Sequence, residues 1–373
     1  MRRITVLLAA ALLLGTLTGC AGRFLPETKD IASVELLRSM AVDAVAPDRV
    51  RVTVSTGVGQ GASGKPRLLR RTAGTVSAAC QTIQQSGASA VFFGHVTDCV
   101  VGEALARRGI GPVLDDFRRD FELRTDTPIF LARGVTAGEL LERTAGPELA
   151  AADQLQEIGR ELPLEDRAWP CTVRDTLVDL WDNGWSMMPV VRLRREAAGY
   201  EIVSDGMALF RDGKLVRRLD RETGEGANLL LGQPQAGVVE VSLKNGRGNL
   251  KLVKADCRWR PRWRGETLTA LTAEVRVETD LTEISGSEGS LEEGKVAELE
   301  HQLAKRTAEQ VEKALRAERD LGDYLHLARR LCVQCPRRAR RIHARWERWR
   351  KELDLRVKVD ATVRQSYDVD RGA

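Results

Sequence analysis

Residues 92–134 read FFGHVTDCVVGEALARRGIGPVLDDFRRDFELRTDTPIFLARG, a stretch in which short apolar runs alternate with amphipathic ones. The apolar run at its start predicts a strand, and Asp98 is placed to cap a helix that Gly109 ends. A second short helix is expected to start near Pro112, and residues 128–132 predict another strand. Strands and helices that alternate in this way predict a mixed α/β domain.

The same alternation extends on both sides of this stretch. Residues 31–39 are expected to be helical, and residues 50–55 predict a strand. Capping-box patterns at 136–139 and 172–175 predict two further helix starts. A polar, proline-broken stretch at 162–170 separates them, and we place a domain boundary there.

The second half of the chain carries the clearest strand periodicity. Strands are expected at residues 200–203, 207–210, 214–219, 239–243, 250–252, 271–277 and 353–363. Asp212-Gly213 is a hairpin turn between two of these strands. Before the last strand, one face of a long helix is apolar; its residues are Val296, Leu299, Leu303, Val311 and Leu315.

These patterns predict an α+β fold of three successive mixed α/β domains with antiparallel-rich sheets and flanking helices, after a lipoprotein signal peptide. The expected ranges are 31–165 for an N-terminal α/β domain, 166–256 for a middle β-rich domain and 257–373 for a C-terminal α+β domain with the long helix. With 43% hydrophobic and 30% charged residues, the composition is that of an ordinary globular chain, and no membrane span is predicted after the N-terminal signal.

The N-terminus has the pattern of an export signal. Arg2 and Arg3 precede an apolar run that is too short to span a bilayer comfortably. The run ends in Leu17, Thr18, Gly19 and Cys20, which resembles the bacterial lipobox, where the cysteine thiol is lipidated and the signal is cut just before it. Residues 1–19 are therefore expected to be removed. Residues 20–30 are expected to form a tether that begins with an acylated Cys20. The alternative is an ordinary signal peptide that contains a cysteine.

The stretch TGVGQGASGKPRLL at residues 56–69 nearly spells a phosphate-binding loop. Gly59, Gly64 and Lys65 fit the pattern, but Pro66 stands where a hydroxyl should hold Mg²⁺. An exported chain also meets little ATP. The glycines therefore favour a flexible surface loop after a strand.

Six cysteines remain beside Cys20, and export permits disulfides without indicating a pairing; they are Cys80, Cys99, Cys171, Cys257, Cys332 and Cys335. Only the last two are closely spaced. A lone CxxC lacks the second ligand pair of structural zinc. Two thiols that share a helical turn are the favoured interpretation, ahead of a local disulfide and of metal binding, and no metal or cofactor is predicted.

Two blocks of the sequence resemble the Ger(x)C family, the C-subunit lipoproteins of bacterial spore germinant receptors. The first block lies within 92–134, and the second covers 206–220. The matching residues are Gly94-His95, Val100 to Glu103, Ala106, Gly109-Ile110, Arg119-Asp120, Glu122, Arg124, Ala132 to Gly134, Gly206 to Phe210, Asp212 to Val216 and Leu219-Asp220. The lipobox, the long late helix and the closing strand follow the family's order. Cys20 is followed by Ala21-Gly22-Arg23, where family members often have Trp-Asp and acidic residues.

The resemblance implies a non-enzymatic subunit on the outer face of the spore inner membrane. It would assemble with an A subunit and a B subunit, be held to the lipid bilayer through a diacylglyceryl group on Cys20, and act in the response to nutrient germinants. Nucleic acid is not an expected partner of an exported chain.

Five polar residues in or beside the first block are candidates for a partner or ligand surface: His95, Glu103, Arg119, Asp120 and Arg124. An arginine fork can bind a carboxylate, but ion pairing within the 119–124 group is the simpler interpretation. A histidine at a strand end, hydrogen-bonded into the following helix, is likewise the simpler interpretation of His95.

Two other classes of function stay open. One is a lipoprotein enzyme that acts on wall polymer, with His95 and Asp98 or Arg119 at its centre. No nucleophile elbow or third orienting group supports that reading, and no catalytic residue is predicted. The other is a solute-binding lipoprotein that feeds a transporter.

The stretch PRRARRIHARWERWRK at residues 336–351 places an apolar helix face, Ala339, Ile342, Trp346 and Trp349, beside many arginines. The simple interpretation is a packed surface helix with a solvated basic face. The functional one is contact between the 337–350 helix and anionic lipid headgroups. A second cluster of tryptophan and arginine lies at 258–264, and an anionic wall polymer is compatible with it.

Overall fold

The computed structural model describes residues 34–57, 66–85, 90–144, 150–162, 168–197, 199–233, 236–244, 246–285 and 293–364. The predicted signal peptide, lipobox and tether lie outside these residues, as does most of the glycine-rich stretch at 56–69. Within the described ranges, no helix combines the length and the apolar character needed to cross a membrane.

One large sheet contains nine strands of the described chain. They are β1 (Val34–Ala46), β2 (Arg49–Thr56), β3 (Leu68–Ala73), β4 (Ala90–Phe92), β5 (Asp98–Gly102), β6 (Ile129–Arg133), β7 (Trp185–Glu196), β8 (Gly199–Arg211) and β9 (Lys214–Arg218). The order across the sheet is β3-β2-β1-β5-β6-β7-β8-β9, and β4 pairs with the start of β1. The four central strands run parallel, and the outer pairs are antiparallel hairpins.

Helices cover both faces of this sheet. They are α1 (Val76–Gln85), α2 (Glu103–Arg108), α3 (Gly111–Arg119), α4 (Ala137–Arg143), α5 (Ala151–Glu161) and α6 (Val173–Asn183). Neighbouring residues of a central strand point to opposite cores: Val100 and Phe130 pack with α4 and α5, whereas Val101 and Leu131 pack with α1, α2, α3 and α6. This alternation is the period of two that a strand imposes on its side chains.

Two predicted elements are wrong. Residues 31–39 were expected to be helical, but the described part of that range belongs to β1. Asp98 was expected to cap a helix, but it begins β5, and the helix that ends at Gly109 starts only at Glu103. Both segments belong to central parallel strands. All five residues of β5 are buried, so they show no alternation. The apolar residues at 34, 36 and 37 of β1 fit a helical spacing as well as a strand.

A second sheet has the order β10-β11-β12-β13. Its strands are β10 (Val238–Leu243), β11 (Gly246–Arg264), β12 (Thr267–Ser285) and β13 (Asp354–Arg364). The remaining helices are α7 (Arg221–Leu231), α8 (Glu293–Leu321), α9 (Leu327–Gln334) and α10 (Ala339–Glu352). The predicted strand, long helix and strand are therefore confirmed as β12, α8 and β13.

The long helix α8 covers the apolar face of the second sheet. Leu299, Leu303, Val311 and Leu315 are buried, as their spacing predicted. Because β12 and β13 are parallel neighbours, the chain between them has to return across the sheet, and α8 is the first part of that crossover. With two mixed sheets and helices on their faces, the predicted α+β fold class is confirmed.

Helix α6 connects the two sheets at a polar junction. The amide Nδ2 of Asn183 donates a hydrogen bond to the carbonyl oxygen of Asp323 at 2.7 Å. The buried imidazole of His326 lies between two carboxylates of α6, with Nδ1 3.3 Å from Asp182 and Nε2 3.6 Å from Asp179. The three-domain division stays a prediction, but the strands continue across it: β6 pairs with β7, and β11 runs through residues 256 and 257.

All six cysteines in the described part of the chain are free thiols. Cys332 lies in α9, and Cys335 is the residue that ends this helix. Burial raises the pKa of the Cys80 and Cys99 thiols well above the usual range and that of Cys171 to about 12. These three thiols therefore stay protonated and unreactive at neutral pH.

Candidate functional site

A cleft of about 480 Å³ opens at the edge of the large sheet where β5 and β6 begin. Backbone hydrogen bonds hold its walls together. The amide of Thr97 donates to Arg38 at 2.7 Å, that of Cys99 to Pro128 at 2.9 Å and that of Ile129 to Cys171 at 3.0 Å. The segments that enter three neighbouring elements are thus fixed side by side, and α5 closes the cleft with Leu155.

Asp98 is one of the residues that line this cleft and is 1% exposed. The hydroxyl of Ser39 donates to its Oδ2 at 3.0 Å, and the Thr97 hydroxyl lies 3.1 Å from the same oxygen. Oδ1 has no hydrogen-bond partner among the described residues. Burial raises the pKa of this carboxyl to about 7, against the opposing effect of the two hydroxyl contacts and of the Arg38 charge.

The guanidinium of Arg38 does not neutralise Asp98 by direct contact. Its Nη1 forms an ion pair with Asp153 of α5 at 2.8 Å. The charge of Asp153 itself raises the pKa of Asp98 further. The carboxyl therefore sits in a site where its ionised form is poorly compensated.

The rim of the cleft is polar and its walls are partly apolar. His95 is exposed at the rim. Arg124 binds Asp126 in a two-pronged ion pair, with Nε–Oδ1 at 3.0 Å and Nη2–Oδ2 at 2.7 Å. The apolar side chains that face the cleft are Val96, Pro128, Phe130 and Leu155.

Of the five predicted surface residues, the structure brings only His95 and Arg124 to this cleft. Glu103 is the first residue of α2 and pairs with Arg107 at 2.5 Å. Arg119 pairs with Asp115 of its own helix at 2.8 Å. Asp120 follows α3 and accepts a hydrogen bond from the backbone of Glu122 at 2.8 Å.

The expected ion pairing within the 119–124 group is therefore wrong, since Arg119 and Arg124 each pair with an aspartate outside it. The expected hydrogen bond of His95 into a following helix also fails, because the element after His95 is β5. His95 and Asp98 share the cleft, but no hydrogen bond joins them in the described structure. His95 and Asp98 therefore do not form the hydrogen-bonded dyad that the hypothesis of a wall-polymer enzyme requires.

Sequence reasoning considered Asp98 as a helix cap and as a neighbour of His95, and missed its burial and its hydrogen-bond partners. Ser39 lies 59 residues away in sequence and reaches Asp98 only because β1 and β5 are paired in parallel. One local signal was available: a charged residue directly before the apolar run Cys99–Val101 marks either a cap or a strand end. Among the described residues, no group of three or more histidine, cysteine or acidic side chains is arranged to hold a metal ion.

A second polar feature lies on the C-terminal helices. Ile342, Trp346 and Trp349 of α10 are buried, and Ala339 is half-buried, as their spacing predicted. The opposite side is the arginine surface, defined here by the exposed residues Arg337, Arg340, Arg345 and Arg348. Arg338 stacks over the ring of Trp263 at 4.2 Å, and this ring meets Trp349 edge-on at 5.9 Å.

A shallow cleft of about 580 Å³ crosses this arginine surface. Five arginines line it together with Glu266, which forms an ion pair with Arg341. The tryptophan packing fixes the backbone that carries these side chains. The arrangement suits a multivalent anion.

Comparison with known proteins finds similarity to spore germination proteins along most of the chain. The family model of the spore germination protein N-terminal domain matches residues 27–193, and the model described as spore germination B3/GerAC like, C-terminal, matches residues 205–367. The putative spore germination protein YfkR of Bacillus subtilis (strain 168) is 27% identical over an alignment of 279 residues, and the match covers 70% of each chain. In fold, the chain is similar to the crystal structure of the GerBC protein, with a TM-score of 0.57 and 17% identity over 87% of this chain and 96% of that one.

Proposed function

The chain belongs to the Ger(x)C family of spore germination proteins and has its role in spore germination, and from that premise we propose that it is the lipid-anchored C subunit of a nutrient germinant receptor. In this proposal it assembles with an A and a B subunit on the outer face of the spore inner membrane. The supporting observation is the order of the chain: a lipobox at 17–20, then the two family domains at 27–193 and 205–367.

The proposed anchor is a diacylglyceryl group on Cys20. Strand β1 begins at Val34, so residues 20–33 would connect the lipid to the first sheet. An extended chain spans about 3.5 Å per residue, which holds the folded body within about 50 Å of the bilayer. Two acyl chains are sufficient for stable membrane attachment.

The test replaces the thiol that would carry the lipid. We expect Cys20→Ala to release the protein from the spore membrane fraction and to impair germination in response to nutrients. Cys335→Ala is the matched control, because it removes another free thiol and should leave both properties unchanged. Cell fractionation, intact-mass analysis and a nutrient germination assay are the measurements. Full membrane retention of the Cys20→Ala protein, with an unmodified cysteine in the parent chain, would contradict the proposal.

Assembly with the A and B subunits is a separate part of the proposal and has its own test. We expect the parent chain to copurify with two membrane proteins from detergent-solubilised spore membranes, and the Cys20→Ala chain to recover less of both. Recovery of the chain without such proteins would contradict assembly while leaving the lipid anchor intact.

A wall-polymer enzyme is the competing proposal, and His95→Ala separates the two. The protonated thiols at positions 80, 99 and 171 and the missing contact between His95 and Asp98 support a subunit that acts without turnover. Because His95 is exposed, its removal should leave the melting temperature and germination unchanged. Loss of a measurable wall-degrading activity at constant stability would favour the enzyme.

A further inference from the structure

We propose that the cleft at the start of β5 and β6 binds a small molecule through a primary ammonium group, which donates a hydrogen bond to Asp98. This goes beyond the proposed role as an assembly subunit, because it gives the chain a ligand of its own. The observation that carries it is the Oδ1 atom of Asp98, a buried acceptor without a partner in the described structure, on a residue that lines a cleft.

Two other buried aspartates of the same fold use both carboxylate oxygens, whereas buried Glu318, which does not line this cleft, also has one oxygen, Oε1, without a partner in the described structure. Asp43 accepts hydrogen bonds from the backbone amides of Ala137 at 2.9 Å and Gly138 at 2.8 Å, one on each oxygen. Asp323 accepts from Leu327 at 2.6 Å and Ala328 at 3.2 Å, again one on each oxygen. Asp98 receives both of its contacts on Oδ2. Most buried polar atoms are hydrogen-bonded, and the position of Asp98 on a cleft lets a ligand supply the hydrogen bond that Oδ1 lacks.

The chemistry of that partner follows from the charges around Asp98. A carboxylate with a free oxygen accepts hydrogen bonds and attracts a cation, whereas an anionic ligand would be repelled. The guanidinium of Arg38 pairs with Asp153 through Nη1, and its Nε, like Oδ1 of Asp98, has no hydrogen-bond partner among the described residues. An ammonium group supplies both the charge and the donor that Oδ1 lacks.

The shape of the cleft favours an organic ammonium compound over a bare ion. A volume of about 480 Å³ lies in the range of small-molecule sites, and such sites are mostly apolar with a few placed polar groups. Phe130 and Leu155 offer apolar contacts for the hydrocarbon part of the ligand. The two arginines at the rim, Arg124 and Arg160, form ion pairs with Asp126 and Glu157, which offset their repulsion of a cation.

Binding through Asp98 should depend on pH. Burial raises the pKa of this carboxyl to about 7, so an ammonium ligand competes with a proton near neutrality. The charged groups that face it are Arg38 on β1, Asp153 and Arg160 on α5, and His95, Arg124 and Asp126 at the rim. The ionised fraction rises about tenfold between pH 6 and pH 8 for a pKa of about 7. Affinity for the ammonium should rise by the same factor.

The experiment uses the full chain in detergent with n-propylamine as the probe. We expect a saturable rise in melting temperature with n-propylamine, about tenfold tighter at pH 8 than at pH 6, and none with 1-propanol or propionate. Asp98→Asn keeps the shape of the side chain and should weaken binding at least tenfold. Asp115→Asn, on an exposed aspartate, is the matched control and should bind like the parent. His95→Gln should keep the pH dependence.

Several results would overturn the proposal. They are the absence of a saturable shift, an equal shift with 1-propanol or potassium chloride, unchanged affinity in Asp98→Asn, and affinity that is independent of pH. If Asp98→Asn fails to fold, the pH profile of the parent chain still decides the question. None of these measurements involves the membrane anchor, so failure here leaves the proposed receptor role untouched.

Discussion

Gly102 shows how a single residue controls the position of a helix. It lies against Asp43, whose two carboxylate oxygens accept hydrogen bonds from the first two backbone amides of α4, those of Ala137 and Gly138. A negative charge at a helix N-terminus is favourable, and hydrogen bonds to a charged acceptor are stronger than neutral ones. A Cβ atom added at Gly102 would lie 2.0 Å from Oδ1 of Asp43. Only glycine allows this approach.

We therefore expect Gly102→Ala to lower the free energy of unfolding by about 2–4 kcal/mol, because the Asp43 carboxylate has to leave the amides of α4. Gly111→Ala is the matched control. Gly111 begins α3, and an added Cβ meets no atom within 4 Å there. The control should change stability by less than about 1 kcal/mol. Urea unfolding of both variants provides the measurement, and equal effects would contradict the argument.

Asp98 shows the limit of sequence reasoning at the same scale. Aspartate is a favoured helix cap, and a helix does follow, which made the cap prediction reasonable. The chain instead places Asp98 beside Ser39 of a distant strand. That contact depends on strand pairing across the sheet, which no local pattern encodes. The sequence analysis therefore named His95, Asp98 and Arg124 among its candidates, but it could not predict the burial of Asp98 or its contact with Ser39.

At the scale of elements, predictions succeeded where the determining contacts are local. The capping boxes at Thr136 and Thr172 are both present, because each needs only four successive residues. The Asp212-Gly213 turn joins β8 and β9, and both of its residues have positive φ, as such a hairpin requires. The helix prediction for 31–39 failed because the apolar residues at 34, 36 and 37 fit a helical spacing as well as a strand, and only the pairing of β1 with β2, β4 and β5 decides between them.

The capping box at the start of helix α6 allows the contribution of one cap to stability to be measured. The Thr172 hydroxyl accepts a hydrogen bond from the Asp175 amide at 3.1 Å, and the Asp175 carboxylate accepts one from the Thr172 amide at 3.0 Å. We expect Thr172→Ala to lower the free energy of unfolding by about 1 kcal/mol, while Thr172→Ser, which keeps the hydroxyl, should cost only a few tenths. Thermal or urea unfolding distinguishes them. If both variants lose the same stability, the cap is not the cause.

At the scale of the whole molecule, α6 links the two regions of interest. Its cap residue Thr172 lines the Asp98 cleft, and Asp179, Asp182 and Asn183 at its other end contact the junction with the second sheet. At 1.5 Å per residue, its eleven residues span about 16 Å. A ligand in the cleft would therefore sit one helix away from the contacts that join the two sheets.

The arginine surface is the other feature that acts at this scale, and we expect it to bind anionic membranes. Each basic residue near an anionic surface contributes about 1 kcal/mol, so Arg340→Gln with Arg345→Gln should weaken binding to anionic vesicles about 30-fold. The measurement is vesicle cosedimentation of a chain that begins at Ala21, which keeps every described residue and removes the lipid. Binding of the parent should also decrease in 0.5 M salt, since the exposed charges are screened.

The matched control for the arginine surface is Arg107→Gln with Arg118→Gln. It removes the same charge from exposed arginines of α2 and α3, which pair with Glu103 and Asp115. If the net charge of the chain decides binding, both double variants lose the same affinity, and the assignment to α10 fails. If the surface itself decides binding, only the α10 variant loses it. Equal binding of the parent to neutral and anionic vesicles would exclude an electrostatic contact altogether.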